Sequence, residues 1–253
     1  MIDLHIHLLP GIDDGPATID ESLLLARAEA DEGVTALTVT PHVTENHPTT
    51  PQQMFTGLSE LRAAVAAAGI ELEVRGGAEI ALDRIERLSD QDLRDFTLAG
   101  NQRYVLVECP YAAWPMELEL HIGRLAQLGI RPLLAHPERS AGVQSDEGLE
   151  RLELAVDRGL LVQITAGSLS GRHGDTPKRT ARTLVERELV HVIASDAHSH
   201  DQRPPRLAEA AEAVGDEALA QWLTVGAPGA IFAGAAIPDR PERQKRRSLF
   251  RRR

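Results

Sequence analysis

The sequence predicts an α/β fold of parallel strands, closed or nearly closed into a barrel. Three observations predict it: short β-rich runs alternate with longer helical patterns, the alternation recurs seven times, and no Gly/Ser-rich linker breaks it. A chain of 253 residues has a length at which such barrels form one domain. Periodicity does not show closure, so a doubly wound open sheet stands as the alternative.

In chain order, the first strand is expected at residues 2–6 and its helix at 19–31. Strand 36–40 precedes helix 51–68, and strand 71–75 precedes helix 82–92. Strands 104–107, 132–135 and 160–164 lead into helices 115–128, 147–158 and 176–187. The last strand is 190–194, and helices 204–214 and 217–225 close a domain spanning residues 1–238. Only 3% of residues are aromatic, so the core must be aliphatic and alanine-filled.

The net charge of −11 argues against nucleic acid as a partner of the folded body. It also hides an asymmetry. Residues 240–253 carry +7, which leaves −18 on residues 1–239. The segment 239–253 is expected to be a disordered basic tail. The single cysteine, Cys109, excludes an internal disulfide and fits a reducing compartment. No apolar run is long enough to span a membrane. Cleavage of a signal peptide would remove candidate ligands that begin at His5, so a cytoplasmic protein is expected.

Nearly every predicted strand ends in a metal-binding side chain. His5 and His7 come with the first, His42 follows the second, and Glu79 the third. Glu108 follows the fourth, His136 the fifth, and Asp196 with His198 the seventh. In parallel α/β folds the C-terminal strand ends form the ligand-binding face, so these residues should converge. The i, i+2 spacing of His5 and His7, and of Asp196 and His198, puts each pair on one side of an extended segment. Asp13-Asp14-Gly15 can bring a further carboxylate over that face. Any one of these residues alone reads as a cap or a surface group. Eight on one face do not, because unpaired burial would be too costly and shared metals remove that cost. Imidazole with carboxylate suits manganese, iron, zinc or cobalt, and so many donors imply two or three ions.

Arg139 and Arg203 stand near this set and suit a phosphate, against the default of surface ion pairs. Gly167-Ser168-Leu169-Ser170-Gly171 follows the sixth strand and is either a plain turn or a substrate-facing loop. A cysteine phosphatase is not expected, because Pro115 stands six positions after Cys109 where an arginine would be needed. His47, His121, His173, His191 and His200 show no partner pattern and read as structural or exposed.

The chain resembles the polymerase and histidinol phosphatase (PHP) superfamily, and most closely the bacterial protein-tyrosine phosphatases of capsule and exopolysaccharide systems. The matching stretches are Asp3 to Gly15 (DLHIHLLPGIDDG), Thr40-Pro41-His42, Gly77 to Ile80, Glu108-Cys109-Pro110, Ala135 to Arg139, Ile164 to Leu169 and Ala194 to His198. The resemblance implies a distorted (β/α)7 barrel and three metals, usually manganese. It implies one metal on His5, His7, Glu79 and Asp196. A second would share Glu79 and add Glu108 and His136, and a third would take Asp14, His42 and His198. It further implies hydrolysis of phosphotyrosine on a protein, the tyrosine kinase of such a system foremost, with Arg139, Arg203 and Asp14 serving catalysis. Ser140 and Arg172-His173 depart from the family, which often carries aromatics there. A histidinol-phosphatase-type enzyme and a metal-binding module without turnover are the rival readings. The tail is read as folding back on the acidic body, as binding an anionic inner membrane face, or as solvated disorder. Oligomeric state is left open.

Overall fold

The computed structural model describes residues 1–242. Nine strands are found among them: β1 (Ile2–Ile6), β2 (Ala36–Val39), β3 (His42–Val43), β4 (Glu73–Gly76), β5 (Glu79–Ala81), β6 (Tyr104–Glu108), β7 (Arg131–Ala135), β8 (Leu161–Thr165) and β9 (Val192–Ala194). All paired strands are parallel. They form two sheets, β1-β2-β4 and β3-β5-β6-β7-β8-β9.

The seven expected strands are present, and two more, β3 and β5, were not predicted. Each lies just past an expected strand, where the chain crosses from one sheet to the other. The first crossing passes Pro41, which has no N–H to continue a ladder. The second passes Gly76 and Gly77, where a Cβ would stand 2.7 Å from Met54 Sδ and 3.1 Å from Leu98 Cα. Both crossings feed the site: His42 opens β3, Glu79 opens β5, and the two are in register. At the other junction Ile6 bridges Ala197 in parallel, with Asp196 N–H donating to His5 O (2.8 Å) and His7 N–H to Ala197 O (3.0 Å).

Side chains alternate across the strands. Tyr104, Leu106, Leu133, Ala135, Leu161, Val192 and Ala194 share a smaller apolar cluster. Val105, Val107, Leu134, Val162, Ile164 and Ile193 belong to the larger cluster that includes the helices. Burial on both faces is typical of parallel sheets. The series Tyr104, Leu106 continues to Glu108, so the donor-bearing rim extends the smaller cluster.

The helices follow the expected order, with local signals setting their starts. Thr18 caps α1 (Ile19–Asp31), and Thr50 with Gln53 forms a capping box on α2 (Pro51–Ala67). The segment expected as one helix over 82–92 is a 3-10 turn, Leu82–Arg87, followed by α3 (Asp90–Asp95), which Ser89 caps. The expected turn or loop after β8 is a short helix, Ala166–Ser170, stopped by Gly171 at φ 91°. A final helix, Ala227–Phe232, was hidden by Gly226, Pro228 and Gly229.

Most of the basic tail, residues 243–253, lies outside the described residues. Where it begins, the Arg240 guanidinium lies 4.9 Å from the Trp222 ring centre, and the Trp222 indole N–H donates to Pro238 O at 3.0 Å. Among the described residues no helix is long and apolar enough to cross a membrane.

Candidate metal centre

His5 and His7 leave β1 with their Nε2 atoms 3.2 Å apart. Each ring is held by its other nitrogen: His5 Nδ1 lies 3.0 Å from Gln163 Oε1, and His7 Nδ1 lies 2.7 Å from Asp13 Oδ2. Such outer contacts fix ring orientation and leave Nε2 facing the site. Asp13 also accepts from Gly15 N–H (3.0 Å) and His42 N–H (3.1 Å). Gly15 is required here, since a Cβ would stand 2.8 Å from His7 O. This tight turn turns Asp14 the other way, with Oδ1 3.4 Å from His42 Nε2 and 3.2 Å from His198 Nε2.

Glu79 sits at the middle, fully buried. Its Oε2 lies 2.9 Å from His42 Nδ1, 3.4 Å from His5 Nε2 and 3.5 Å from His7 Nε2. Its Oε1 lies 2.9 Å from His136 Nε2, which is 3.8 Å from Glu108 Oε1. Asp196 Oδ1 stands 3.5 Å from His5 Nε2 and 3.7 Å from His198 Nδ1. His136 (φ 34°) and Asp196 (φ 51°) both hold left-handed backbone, a cost typical of functional positions.

Arg139 Nη1 reaches Asp196 Oδ2 at 2.6 Å. Arg203 spans Asp196 Oδ2 (3.3 Å) and Asp14 Oδ2 (3.6 Å). The structure thus brings together all eleven predicted site residues. Eight of them line a cavity of about 320 Å³, and His5, His7 and Glu79 are buried against these.

Burial alone would push the Glu79 carboxyl up, yet the His5, His136 and His42 imidazoles hold it well below the usual carboxylate range. Asp196 is likewise lowered against its burial by His5, His136 and His198. His198 and His42 hold Asp14 down. His7 is raised to about 9 despite burial, by Asp13, and His42 to about 11, by Asp14 and Glu79. His198 is pressed down to about 4 by burial and by His7.

The donor set fits divalent metal. His42 Nδ1, Glu79 Oε2 and His198 Nε2 are buried atoms without a hydrogen bond, although each has a site partner at close range. Imidazole and carboxylate atoms converging so closely in a buried site are what a divalent cation requires. Single donor atoms of His7, Asp14, His42 and His198 lie within 4.8 Å of one another, as do those of His5, His136 and Asp196.

Several participants were not predicted as site residues. Asp3 is fully buried; its Oδ1 accepts from the N–H groups of His5 (3.2 Å) and Ser195 (3.0 Å), and its Oδ2 from Ser195 Oγ (2.5 Å). This clasp ties the segment carrying His5 and His7 to the one carrying Asp196 and His198. Glu138 Oε1 accepts from Thr165 N–H (3.0 Å) and Ser168 Oγ (2.6 Å), anchoring the turn that presents Arg139. His47, expected to be structural or exposed, instead lines the cavity with its ring 5.9 Å from that of His42. Tyr111 lines it too. Cys109 is buried, and burial with nearby Glu108 pushes its thiol up to about 12, as expected of a structural cysteine.

Comparison with known proteins adds to this geometry. Residues 1–229 match the family described as capsular polysaccharide synthesis, CpsB/CapC. The chain is 33% identical over 259 residues to the tyrosine-protein phosphatase YwqE of Bacillus subtilis, covering 99% of both chains. It is 30% identical over 218 residues to the tyrosine-protein phosphatase CpsB of Streptococcus pneumoniae, covering 83% of this chain and 88% of the relative. A solved structure from a pair described as YwqE from Bacillus subtilis and CpsB from Streptococcus pneumoniae, unique metal-dependent tyrosine phosphatases, matches with a TM-score of 0.83. That match has 29% identity and covers 96% of this chain and 100% of the other.

Proposed function

The chain belongs to the CpsB/CapC capsular polysaccharide synthesis family, and on that premise we propose that it is a metal-dependent protein-tyrosine phosphatase. The observation that carries the reading is the buried cluster of four imidazoles around the Glu79 carboxylate. We read the two sheets as walls of the distorted (β/α)7 barrel, with residues 1–238 as its single domain. Three divalent ions, manganese foremost, would be shared by nine residues. His5, His7, Glu79 and Asp196 would hold one, Glu79, Glu108 and His136 a second, and Asp14, His42 and His198 a third. The short distances among these groups support shared metal binding at one centre, and the division among ions is the one that the family resemblance implies. When bound, such metals supply activated water at neutral pH and positive charge for phosphoryl oxygens.

The protein's own groups do the remaining work. Asp13 and Gln163 orient the His7 and His5 rings. Arg139 and Arg203, held over the site by Asp196 and Asp14, offer guanidinium forks to the phosphate. A tyrosyl leaving group departs as a phenolate whose conjugate acid has a pKa of ~10, a better leaving group than an alkoxide. The substrate we propose is phosphotyrosine on a bacterial protein, foremost the tyrosine kinase of a capsule or exopolysaccharide system. The place of action we propose is the cytoplasm, at the inner membrane face where the basic tail meets anionic lipid. Turnover of a phosphotyrosine peptide and of histidinol phosphate by manganese-loaded enzyme tests the reading. Preference for the peptide is expected, and preference for histidinol phosphate would make this a small-molecule phosphatase.

A further inference from the structure

Of the residues lining the cavity, six are proposed metal ligands and two are the arginines. Thr44, Asn46, His47 and Tyr111 remain, and Tyr111 alone among these offers a carbocyclic ring. A large aromatic would ordinarily be buried, yet Tyr111 is 45% exposed. It is nevertheless held in place. Its carbonyl accepts from Ala141 N–H at 2.7 Å, just past the turn that carries Arg139. Its ring lies 9° from parallel to His136 with centroids 5.8 Å apart, and the Arg139 guanidinium carbon stands 5.1 Å from its centre.

We infer that Tyr111 is the residue that selects aryl over alkyl phosphates, a role that rests on the phosphatase reading above. An aryl phosphate needs a guanidinium for the phosphoryl oxygens and, one bond further out, a flat apolar surface for the ring. Arg139, standing over the ring of Tyr111, brings these two surfaces together at the cavity. The rest of the lining is charged or polar and offers a ring little apolar contact. Phosphoserine and other alkyl phosphates carry no ring to lie against Tyr111, while they use the metals and arginines equally; the hydroxyl contact of Tyr111 with Glu108 serves both substrates alike.

The test compares wild type, Tyr111→Leu and Tyr111→Phe, all manganese-loaded, on a phosphotyrosine peptide and on glycerol phosphate. The ratio of kcat/KM for the peptide to that for glycerol phosphate should fall roughly tenfold in Tyr111→Leu, chiefly through KM, the size expected for one lost aromatic contact. In Tyr111→Phe the ratio should stay within about twofold, because the ring persists. Inhibition by inorganic phosphate reads the arginines separately and should be alike in all three proteins. An unchanged ratio in Tyr111→Leu, with wild type active on the peptide, overturns this inference alone. A parallel loss on both substrates with weakened phosphate inhibition overturns it too, since Tyr111 would then merely hold Arg139. A wild type inert towards phosphotyrosine overturns the phosphatase reading and this inference together.

Discussion

Glu79 and Glu138 are both fully buried glutamates on the same rim, and they have opposite characters. Glu138 bonds to Ser168 Oγ and Thr165 N–H, and burial pushes its carboxyl up despite the nearby His136. Glu79 faces four imidazoles and is held well below the usual range. Asp3 resembles Glu138, raised by burial and bonded to Ser195, whereas Asp196 resembles Glu79. The partners decide the role. Among these four, a buried carboxyl bonded to hydroxyl and amide groups fastens the fold, and one met by several imidazoles keeps a charge for a cation; Glu108 differs, raised by burial and by the neighbouring Glu79.

Removing each charge without changing shape should therefore break the symmetry of the pair. Glu79→Gln should lower both bound metal and turnover by orders of magnitude, since a shared ligand charge is lost. Glu138→Gln should keep its metal and lose less than about tenfold in activity, because the amide oxygen still accepts from Ser168 and Thr165. Metal analysis and kcat on both variants check this. Equal losses would mean that imidazole surroundings do not mark the metal carboxylates.

The comparison sharpens with pH in metal-free protein. His7 and His42, raised to about 9 and about 11 by their carboxylates, contribute stability that is complete below their ordinary ~6.5. That contribution is lost as pH rises through the folded values. His198, His173 and His191 are lowered to about 4, chiefly by burial, so the unfolded chain takes up their protons first. Their effect weakens the fold as pH falls from ~6.5 towards 4. Melting temperatures of chelated protein between pH 4 and 10 should thus peak near ~6.5. A continued rise from neutral pH to 9 would show that His7 and His42 lack charged partners.

Much of this site was legible because each donor follows a strand pattern that the sequence displays. His5, His136 and Asp196 are read from the strands before them. β3 and β5 were not legible, since strands of two and three residues carry no period. Their ligands were still found, as His42 and Glu79 stand just past expected strands. Spacing alone does not tell Asp13 from Asp14, and only the resemblance chose Asp14; the turn at Gly15 makes Asp13 the His7 partner and Asp14 the His42 and His198 partner. Tyr111, His47 and the Asp3–Ser195 clasp depend on long-range packing, for which no local pattern exists.

The last expectation concerns the basic tail. Full-length protein should co-sediment with anionic vesicles more than a version ending at Glu242, at about 1 kcal/mol per basic residue near the surface. Rising salt should weaken that binding. Equal sedimentation of both versions would remove the tail from the account of localisation.

The central claim is that the imidazoles and carboxylates clustered around Glu79 hold metals for phosphoester hydrolysis. Stripping the enzyme with a chelator, then measuring bound metal and phosphotyrosine-peptide turnover together as manganese is returned, tests it most directly. The account predicts that activity vanishes with the metal and returns with it, in proportion to the occupancy of these sites. Full activity in demonstrably metal-free protein would contradict it.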